Sequence, residues 1–218
     1  MIKSKNAHKP SLTEKTYHFL REKIISNEYS PGTPIIESLI IDQIKVSRTP
    51  FREAIQRLEQ EKLVKIFPKR GVFVTQIPVT ELKEIYEIRE ILEPMITLSV
   101  TKNMTQTTLD EINNIEERLL KIKEDNPIDP EKAREVGREL HDAIIEDFGN
   151  QTLVEFIKSL RLNSDRGCAL IGRADNNIGT LLEQHLRIIE AIKKRDANKA
   201  GKFMKDHLSY ARESLLLS

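Results

Sequence analysis

The chain of 218 residues is poor in cysteine, in aromatic residues and in long hydrophobic runs. Its single cysteine, Cys168, excludes an internal disulfide framework and a CxxC metal site, and we interpret it as structural. The first twenty residues contain no apolar stretch of signal-peptide length, and no later run approaches the ~20 residues of a membrane helix. These absences argue against a disulfide-stapled secreted domain and against membrane insertion, and they favour a cytoplasmic protein.

The net charge of the whole chain, +1, conceals an asymmetry between its two parts. Residues 1–78 hold fourteen Lys and Arg against eight Asp and Glu, a net charge of +6. Residues 79–218 hold twenty-one against twenty-six, a net charge of −5. A basic first part on an acidic remainder indicates that only the first part meets a polyanion. The length allows two domains of ordinary size, and Pro78 marks the predicted boundary between them.

Three helices are predicted in the basic part. Ser11, with Glu14 three residues later, forms a capping box ahead of an amphipathic helix. A second, short helix is predicted at about 37–44, after the segment YSPGTPI, whose prolines and glycine cannot continue a helix. A third is predicted to begin after Ser47, a favourable N-cap residue, and to run to about Glu61.

A β-hairpin is predicted after the third helix. The segments LVKIF and VFVTQI are rich in β-branched and aromatic residues, and the tight connection PKRG joins them. Three helices followed by a basic-tipped hairpin give the layout of a winged helix-turn-helix domain. In that layout the second helix of the turn pair enters the major groove of DNA by its N-terminal end.

The candidate DNA-binding residues lie at the start of the third helix and at the tip of the hairpin. Arg48 and Arg52 are one helical turn apart, while Ile55 and Leu58 are predicted to face the domain core. An arginine can form two parallel hydrogen bonds with guanine O6 and N7, worth about 1–3 kcal/mol of discrimination. The alternative is a solvated basic face without a partner. The candidates are Ser47, Arg48, Thr49 and Arg52 on the helix and Lys69, Arg70 and Gly71 on the wing.

About residues 11–76 resemble the DNA-binding domain of the GntR family of bacterial transcription regulators. The phrases SRTPFREA, RLEQEKLV and RGVFV stand at the spacing of that family. The resemblance implies base contacts from Arg48 and Arg52, phosphate contacts around Ser47 and Thr49, and wing contacts near Gly71. It implies double-stranded operator DNA as the partner.

Residues 79–218 show no strand-like alternation, and we predict an antiparallel bundle of six or seven helices. In TLDEINNIEERLLKIKED, apolar residues recur at spacings of three and four, behind a capping box predicted at Thr108 and Glu111. Predicted breaks fall near NPIDP, FGNQ, ADNNIG and RDAN. The predicted fold class is therefore mainly α, with a winged helix-turn-helix domain followed by an all-α bundle.

Three histidines, His141, His185 and His207, are predicted to point inward from the apolar faces of three different helices. A single inward histidine is usually a core residue that has found a hydrogen-bond partner. Three are harder to explain in that way, because burying each imidazole costs free energy unless it is paired. A shared divalent metal would satisfy all three, and neutral imidazole suits zinc and nickel.

The motifs YEIREILEPMITLSV, LHDAIIEDFGN, EQHLRIIEAIKKRDANKA and MKDHL resemble the FCD domain, the effector domain of the FadR-type branch of the GntR family. In its metal-binding members, three histidines and one aspartate hold the ion beneath a pocket for a small organic acid. The resemblance assigns the histidines to His141, His185 and His207. It expects the aspartate where this chain has Gly137. Either the three histidines bind a metal with open positions, or they line a metal-free pocket.

Arg89 matches a family position at the pocket wall, where a guanidinium would fit an effector carboxylate. The alternative is a helix-surface ion pair with Glu93, four residues on.

The predicted function is a homodimeric, ligand-responsive transcription regulator, a repressor that binds a near-palindromic operator and senses a small organic acid. One alternative is a DNA-binding protein whose helical domain only dimerises. The other is a three-histidine metal-dependent hydrolase, but the histidine stripes offer no clearly placed inward carboxylate as general base, and an enzyme leaves the basic winged domain unexplained. We therefore predict that the protein is not an enzyme.

Overall fold

The computed structural model describes residues 11–26, 28–170 and 178–216, without the side chains of 165–170, 215 and 216. The side chain of Cys168 and most of the break predicted at ADNNIG lie outside the described residues. The chain divides into two compact units, Met1–Ile77 and Pro78–Ser218. The described elements are α1 (Leu12–Ile25), β1 (Pro34–Ile35), α2 (Glu37–Ile44), α3 (Arg48–Gln60), β2 (Val64–Phe67), β3 (Gly71–Val74), α4 (Val79–Asn103), α5 (Gln106–Glu124), α6 (Pro130–Asp147), α7 (Gln151–Leu170), α8 (Ile178–Lys193) and α9 (Ala197–Leu216).

The first unit has the predicted helices, and its first cap is confirmed. The Ser11 side chain accepts a hydrogen bond from the Glu14 backbone N–H, and the Ser11 backbone N–H donates to the Glu14 carboxylate. Helix α1 packs against α3, and Leu20, Ile24 and Leu58 are completely buried in the core of this unit. The apolar stripe of each helix thus supplies the packing that positions α3.

The wing is a three-stranded antiparallel sheet in the order β1-β3-β2. The hairpin of β2 and β3 is confirmed, with Val64 opposite Val74. Strand β1 was not predicted, since two residues are too few to show an alternating pattern. It pairs with β3 through Pro34 opposite Phe73. At the tip, Gly71 has φ +100°, a conformation that other residues rarely adopt.

The second unit contains six helices within its described ranges, so the fold class is confirmed as mainly α. One detail of the prediction was wrong: the N-cap of α5 is Thr105, whose side chain accepts from the Thr108 backbone N–H. Thr108 is the third residue of α5 and therefore does not begin a capping box. None of the helices in the described ranges combines the length and hydrophobicity of a membrane span.

Helix α4 is the central element of the bundle and packs against α6, α7 and α9. Its contact with α9 is very close at Gly201, where an added Cβ would lie 2.9 Å from the Pro94 carbonyl oxygen and 3.3 Å from Leu98 Cβ. No side chain fits at that distance without a shift, so glycine is needed for this helix crossing. The buried face of α4 carries Arg89 and Glu93 into the interior.

Candidate metal centre and nucleic-acid interface

Three imidazole rings meet in the interior of the helical unit. His141 comes from α6, His185 from α8 and His207 from α9, and all three side chains are buried. The ring centroids are 4.4–5.5 Å apart, and one ligand nitrogen from each ring lies within 4.8 Å of the others. The inward direction predicted for these three residues agrees with the structure. Their role as metal ligands stays a prediction.

The hydrogen bonds behind two of the rings determine which nitrogen faces the cluster. The Nδ1 of His141 lies 2.6 Å from Glu93 Oε2, and the Nδ1 of His207 lies 3.0 Å from Gln184 Oε1. An ionised carboxylate only accepts, so His141 Nδ1 carries the hydrogen and its Nε2 has a lone pair. With the amide of Gln184 oriented as described, the same holds for His207.

The two Nε2 atoms of His141 and His207 face each other at 3.3 Å. If both present lone pairs, the contact is repulsive unless a cation lies beside them. The Nε2 of His185 is buried without a hydrogen-bond partner, which is costly. A divalent ion would satisfy the two facing Nε2 atoms and a ring nitrogen of His185 together, and histidine nitrogens ligate zinc at about 2.0–2.1 Å. The residues present therefore fit the group that the FCD resemblance implies.

Burial keeps these imidazoles neutral, the form that binds metal. Desolvation, reinforced by the nearby His141 and Arg161, lowers the pKa of His185 to about 3. Desolvation also lowers the pKa of His207 well below its ordinary value and lowers that of His141, where Glu93 opposes the effect. Burial would raise the pKa of Glu93, but Arg89 and His141 outweigh it and hold the pKa well below its usual range. The carboxylate is therefore ionised.

The place of the expected aspartate is taken up by an imidazole ring. A Cβ added at Gly137 would lie 2.5 Å from His185 Cε1 and 3.0 Å from its Nδ1. Gly137 therefore provides the space in which His185 sits, and a side chain here would have to displace the ring. At position 137, helix α6 therefore offers no carboxylate ligand, because glycine has no side chain.

We expect Gly137→Ala to lower both the thermal stability and the metal affinity of the helical unit. Alanine gains up to about 1 kcal/mol in helix propensity. Overpacking a buried site costs about 1–3 kcal/mol, and the clash falls on the proposed ligand His185. Thermal unfolding in the presence of a chelator measures the stability of the metal-free protein, and thermal unfolding with added zinc measures the effect on metal binding. A Gly137→Ala protein that is more stable in chelator and binds zinc normally would contradict this interpretation.

Arg89 forms the ion pair with Glu93, but in the protein interior and not on the helix surface. Its Nε lies 2.6 Å from Glu93 Oε1, and both side chains are buried. Its Nη1 donates to Ser164 Oγ at 2.8 Å, and its guanidinium stands over the Tyr86 ring. Arg89, Glu93 and His141 thus form a continuous buried chain. An effector contact by Arg89 stays a prediction.

Glu93 is the residue of this centre that sequence reasoning underrated. Its spacing in the sequence predicts only a pairing with Arg89, four residues earlier, and gives no sign of an inward carboxylate beside the histidines. The structure puts Glu93 against His141, from a helix 48 residues away in sequence. Its carboxylate lies on the Nδ1 side and is engaged by Arg89, so it orients the ring and does not face the ligand nitrogens.

The candidate DNA-binding helix is α3, which begins at Arg48. Ile55 and Leu58 are buried as predicted, while Arg48, Thr49 and Arg52 are exposed. The Arg48 side chain is 81% exposed and lies 3.6 Å from Glu37 of α2, a weak contact that DNA can displace. The structure brings these residues together on one surface, as the helical spacing requires.

Ser47 occupies the N-cap position of α3, but its side chain forms no capping hydrogen bond. The first-turn N–H groups therefore lack the cap that was predicted for them. They and the exposed Ser47 hydroxyl are suited to holding a phosphate oxygen. The wing candidates Lys69, Arg70 and Gly71 are all exposed at the hairpin tip.

Two parts of the chain match known sequence families. Residues 12–74 match the bacterial regulatory proteins of the gntR family, and residues 84–210 match the FCD domain. The second match alone covers more than half of the chain. This chain is a GntR-family protein with an FCD domain. It is a DNA-binding transcription regulator, and its relatives and its fold are those of regulators and not of enzymes.

This GntR-family protein has relatives along most of its length. It is 26% identical to the HTH-type transcriptional repressor RspR of Escherichia coli, over 94% of this chain and 89% of RspR. It is 30% identical to the Uxu operon regulator of Haemophilus influenzae, over 94% of this chain and 84% of that protein. Both relatives are named as regulators, in agreement with the family assignment.

Solved structures support the fold of this GntR-family protein. E. coli McbR/YncC superposes with a TM-score of 0.80 at 23% identity, covering 96% of this chain and 99% of McbR/YncC. A GntR transcriptional regulator from Rhodococcus sp. RHA1 gives a TM-score of 0.82 at 23% identity, with the same coverage. At this identity the likeness establishes the architecture alone.

Proposed function

We propose that this regulator is a homodimeric repressor that binds a near-palindromic operator and responds to a small organic acid through a metal-loaded FCD domain. The convergence of three buried imidazoles, with the Nε2 atoms of His141 and His207 facing each other and that of His185 without a partner, carries the sensing part of the proposal. Repression is supported by the relative RspR, which is named a repressor. A homodimer would match the two-fold symmetry of a palindromic site.

The winged unit supplies affinity and specificity for DNA in this proposal. Arg48 and Arg52 read guanine edges in the major groove, or divide the task between a base and a phosphate. Ser47, Thr49 and the N-terminus of α3 hold the backbone. On the wing, Lys69, Arg70 and Gly71 meet the adjacent backbone or minor groove. Each copy of the chain contacts one half-site.

In the FCD unit, His141, His185 and His207 are the proposed ligands. A bound zinc or nickel ion would supply Lewis acidity and open positions for an acid carboxylate. Glu93 fixes the His141 tautomer, as a carboxylate behind a metal-binding histidine does. Gln184 plays the corresponding part for His207. Arg89, which is paired with Glu93 beside the centre, is the proposed contact for the acid carboxylate.

The response to the acid requires two arrangements of the dimer with different affinities for DNA. The acid changes operator affinity only as far as it binds those arrangements unequally. Helix α4 is the element suited to connect the site with the rest of the chain, because it carries Arg89 and Glu93 and begins at the boundary of the two units.

We expect Glu93→Gln to weaken metal binding by about 10–100-fold, the usual effect of losing the partner behind a ligand. The amide cannot neutralise Arg89, so the variant also loses stability, by about 3–5 kcal/mol for a broken buried ion pair. Competition with a fluorescent zinc chelator measures the first effect, and urea unfolding of the metal-free protein measures the second. Glu90→Gln is the control, because Glu90 lies three residues earlier on α4 and pairs with Arg212 instead of a histidine. Normal zinc affinity in Glu93→Gln would contradict the orienting role.

The function is tested by adding a panel of mono-, di- and tricarboxylic acids to zinc-loaded protein. A sensor gives a rise in melting temperature and a release of operator DNA with the same acid, and both responses disappear when zinc is removed. The second candidate function is a helical domain that only dimerises. In that case no acid changes the melting temperature or releases operator DNA, either from zinc-loaded or from metal-free protein. A response that persists in chelator would instead favour the metal-free pocket.

A further inference from the structure

We infer that Glu59 is a positioning residue for DNA binding, which holds the wing at a fixed angle to the candidate DNA-binding helix α3. Glu59 stands near the C-terminal end of α3 and is half-buried. Its Oε1 accepts a hydrogen bond of 2.9 Å from the backbone N–H of Ile66, which lies in β2. This role rests on the proposed contacts of the wing with DNA, which it coordinates with the contacts of α3.

The hydrogen bond to Glu59 falls on an edge strand of the sheet. Because the strand order is β1-β3-β2, strand β2 has a neighbour on one side only. Its other side carries backbone groups that no strand of this sheet satisfies. The Ile66 N–H donates to α3 instead of to a strand, so the Glu59 side chain ties the edge of the wing to the helix that carries Arg48 and Arg52.

The wing is thereby attached to α3 at two points. The first is its base, where the Leu63 N–H donates to the Leu58 carbonyl at 2.9 Å and both side chains are completely buried. A hairpin fixed at its base alone can pivot about that point. The second attachment is Ile66, about 10 Å further toward the tip at 3.3 Å per residue. Two attachments define a direction, so Glu59 determines where the tip of the wing lies.

The path from Ile66 to the candidate DNA contact Arg70 is short and ordered. Phe67 is the next residue and ends β2, and its carbonyl accepts a hydrogen bond from the Arg70 N–H at 3.0 Å. The Arg70 guanidinium lies over the Phe67 ring, 5.8 Å from its centroid. A change in the angle of β2 therefore moves this guanidinium. Helix α3 and the wing act as two linked binding sites, which gain affinity from each other only when both can engage at once.

Glu59 also brings a negative charge into a domain that binds a polyanion. If charge alone mattered, its removal would tighten DNA binding, because phosphates repel carboxylates. If its hydrogen bond positions the wing, removal of the acceptor weakens DNA binding. Glu59→Ala and Glu59→Gln separate the two effects. Both remove the charge, but only glutamine keeps a side-chain oxygen that can accept from the Ile66 N–H.

The test measures the affinity of the full-length protein for an operator selected from random DNA, by fluorescence anisotropy. We expect Glu59→Ala to weaken binding about threefold to tenfold, in the range of one lost hydrogen bond. Glu59→Gln should bind at least as tightly as the wild type. Hydrogen exchange of the Ile66 amide should become faster in Glu59→Ala and stay unchanged in Glu59→Gln. Tighter operator binding by both variants would overturn the inference.

A double-mutant cycle with Arg70→Ala separates positioning from loss of stability. If Glu59 acts through the wing, Glu59→Ala should weaken operator binding much less once the Arg70 side chain is absent. Equal losses with and without Arg70 would show that Glu59 only stabilises the domain, and would overturn the inference. Normal operator binding by Glu59→Ala would overturn it too, but would leave the proposed wing contacts standing. Unchanged affinity in Arg70→Ala itself would overturn both the wing contact of Arg70 and the positioning role.

Discussion

Replacing His185 with alanine is expected to remove the bound metal from the protein. Purified without a histidine tag or chelator, the wild type should carry about one zinc or nickel ion per chain, and the variant none. The variant loses one of three proposed ligands, so its loss should exceed the 10–100-fold typical of a lost supporting residue. The unpartnered Nε2 of His185 makes it the residue with most to gain from an ion.

Elemental analysis of the protein after gel filtration measures the metal content, and native mass spectrometry confirms the stoichiometry. His18→Ala is the matched control, because His18 is exposed in the winged unit and should have no effect. His185→Asn keeps more of the side-chain volume beside Gly137 and separates loss of a ligand from loss of packing. A His185→Ala protein that keeps its metal would show that the ion binds elsewhere. A metal-free wild type would favour the metal-free pocket.

Replacing Arg48 with alanine is expected to weaken specific operator binding by about 1–3 kcal/mol, roughly 5–150-fold, without changing the fold. Arg48 is 81% exposed, and its ion-pair contact with Glu37 is long at 3.6 Å. Its removal therefore leaves the core of the winged unit intact. The reason for a loss confined to specific binding is that a bidentate arginine–guanine contact discriminates between bases.

Fluorescence anisotropy measures both affinities over a range of salt concentrations. An operator selected from random DNA gives the specific affinity, and an unrelated duplex gives the non-specific affinity. Lys121→Ala, which removes one exposed charge from α5 in the helical unit, is the control for net charge. An equal loss on both duplexes, with a salt slope reduced by about one, would show that Arg48 contacts only phosphate. Unchanged affinity on both would leave the solvated basic face as the correct interpretation.

Most of the winged unit follows from local sequence. The Ser11–Glu14 capping box, the Pro/Gly break before α2 and the β-branched runs of the hairpin act between residues close along the chain, so periodicity and turn chemistry predict them. Strand β1 was missed because it exists only through its pairing with β3, which provides a partner for Pro34 and Ile35.

The sequence by itself determined the class of this protein: a basic winged unit with two arginines on the front of α3, and a helical unit with three inward histidines. Helical spacing fixes which way a side chain faces, and that is enough for these statements. Only the tertiary structure decided what surrounds the histidines. It brings Glu93 against His141 and Gly137 against His185, residues 48 positions apart in each pair. Such contacts depend on how whole helices pack, and no local pattern encodes that packing.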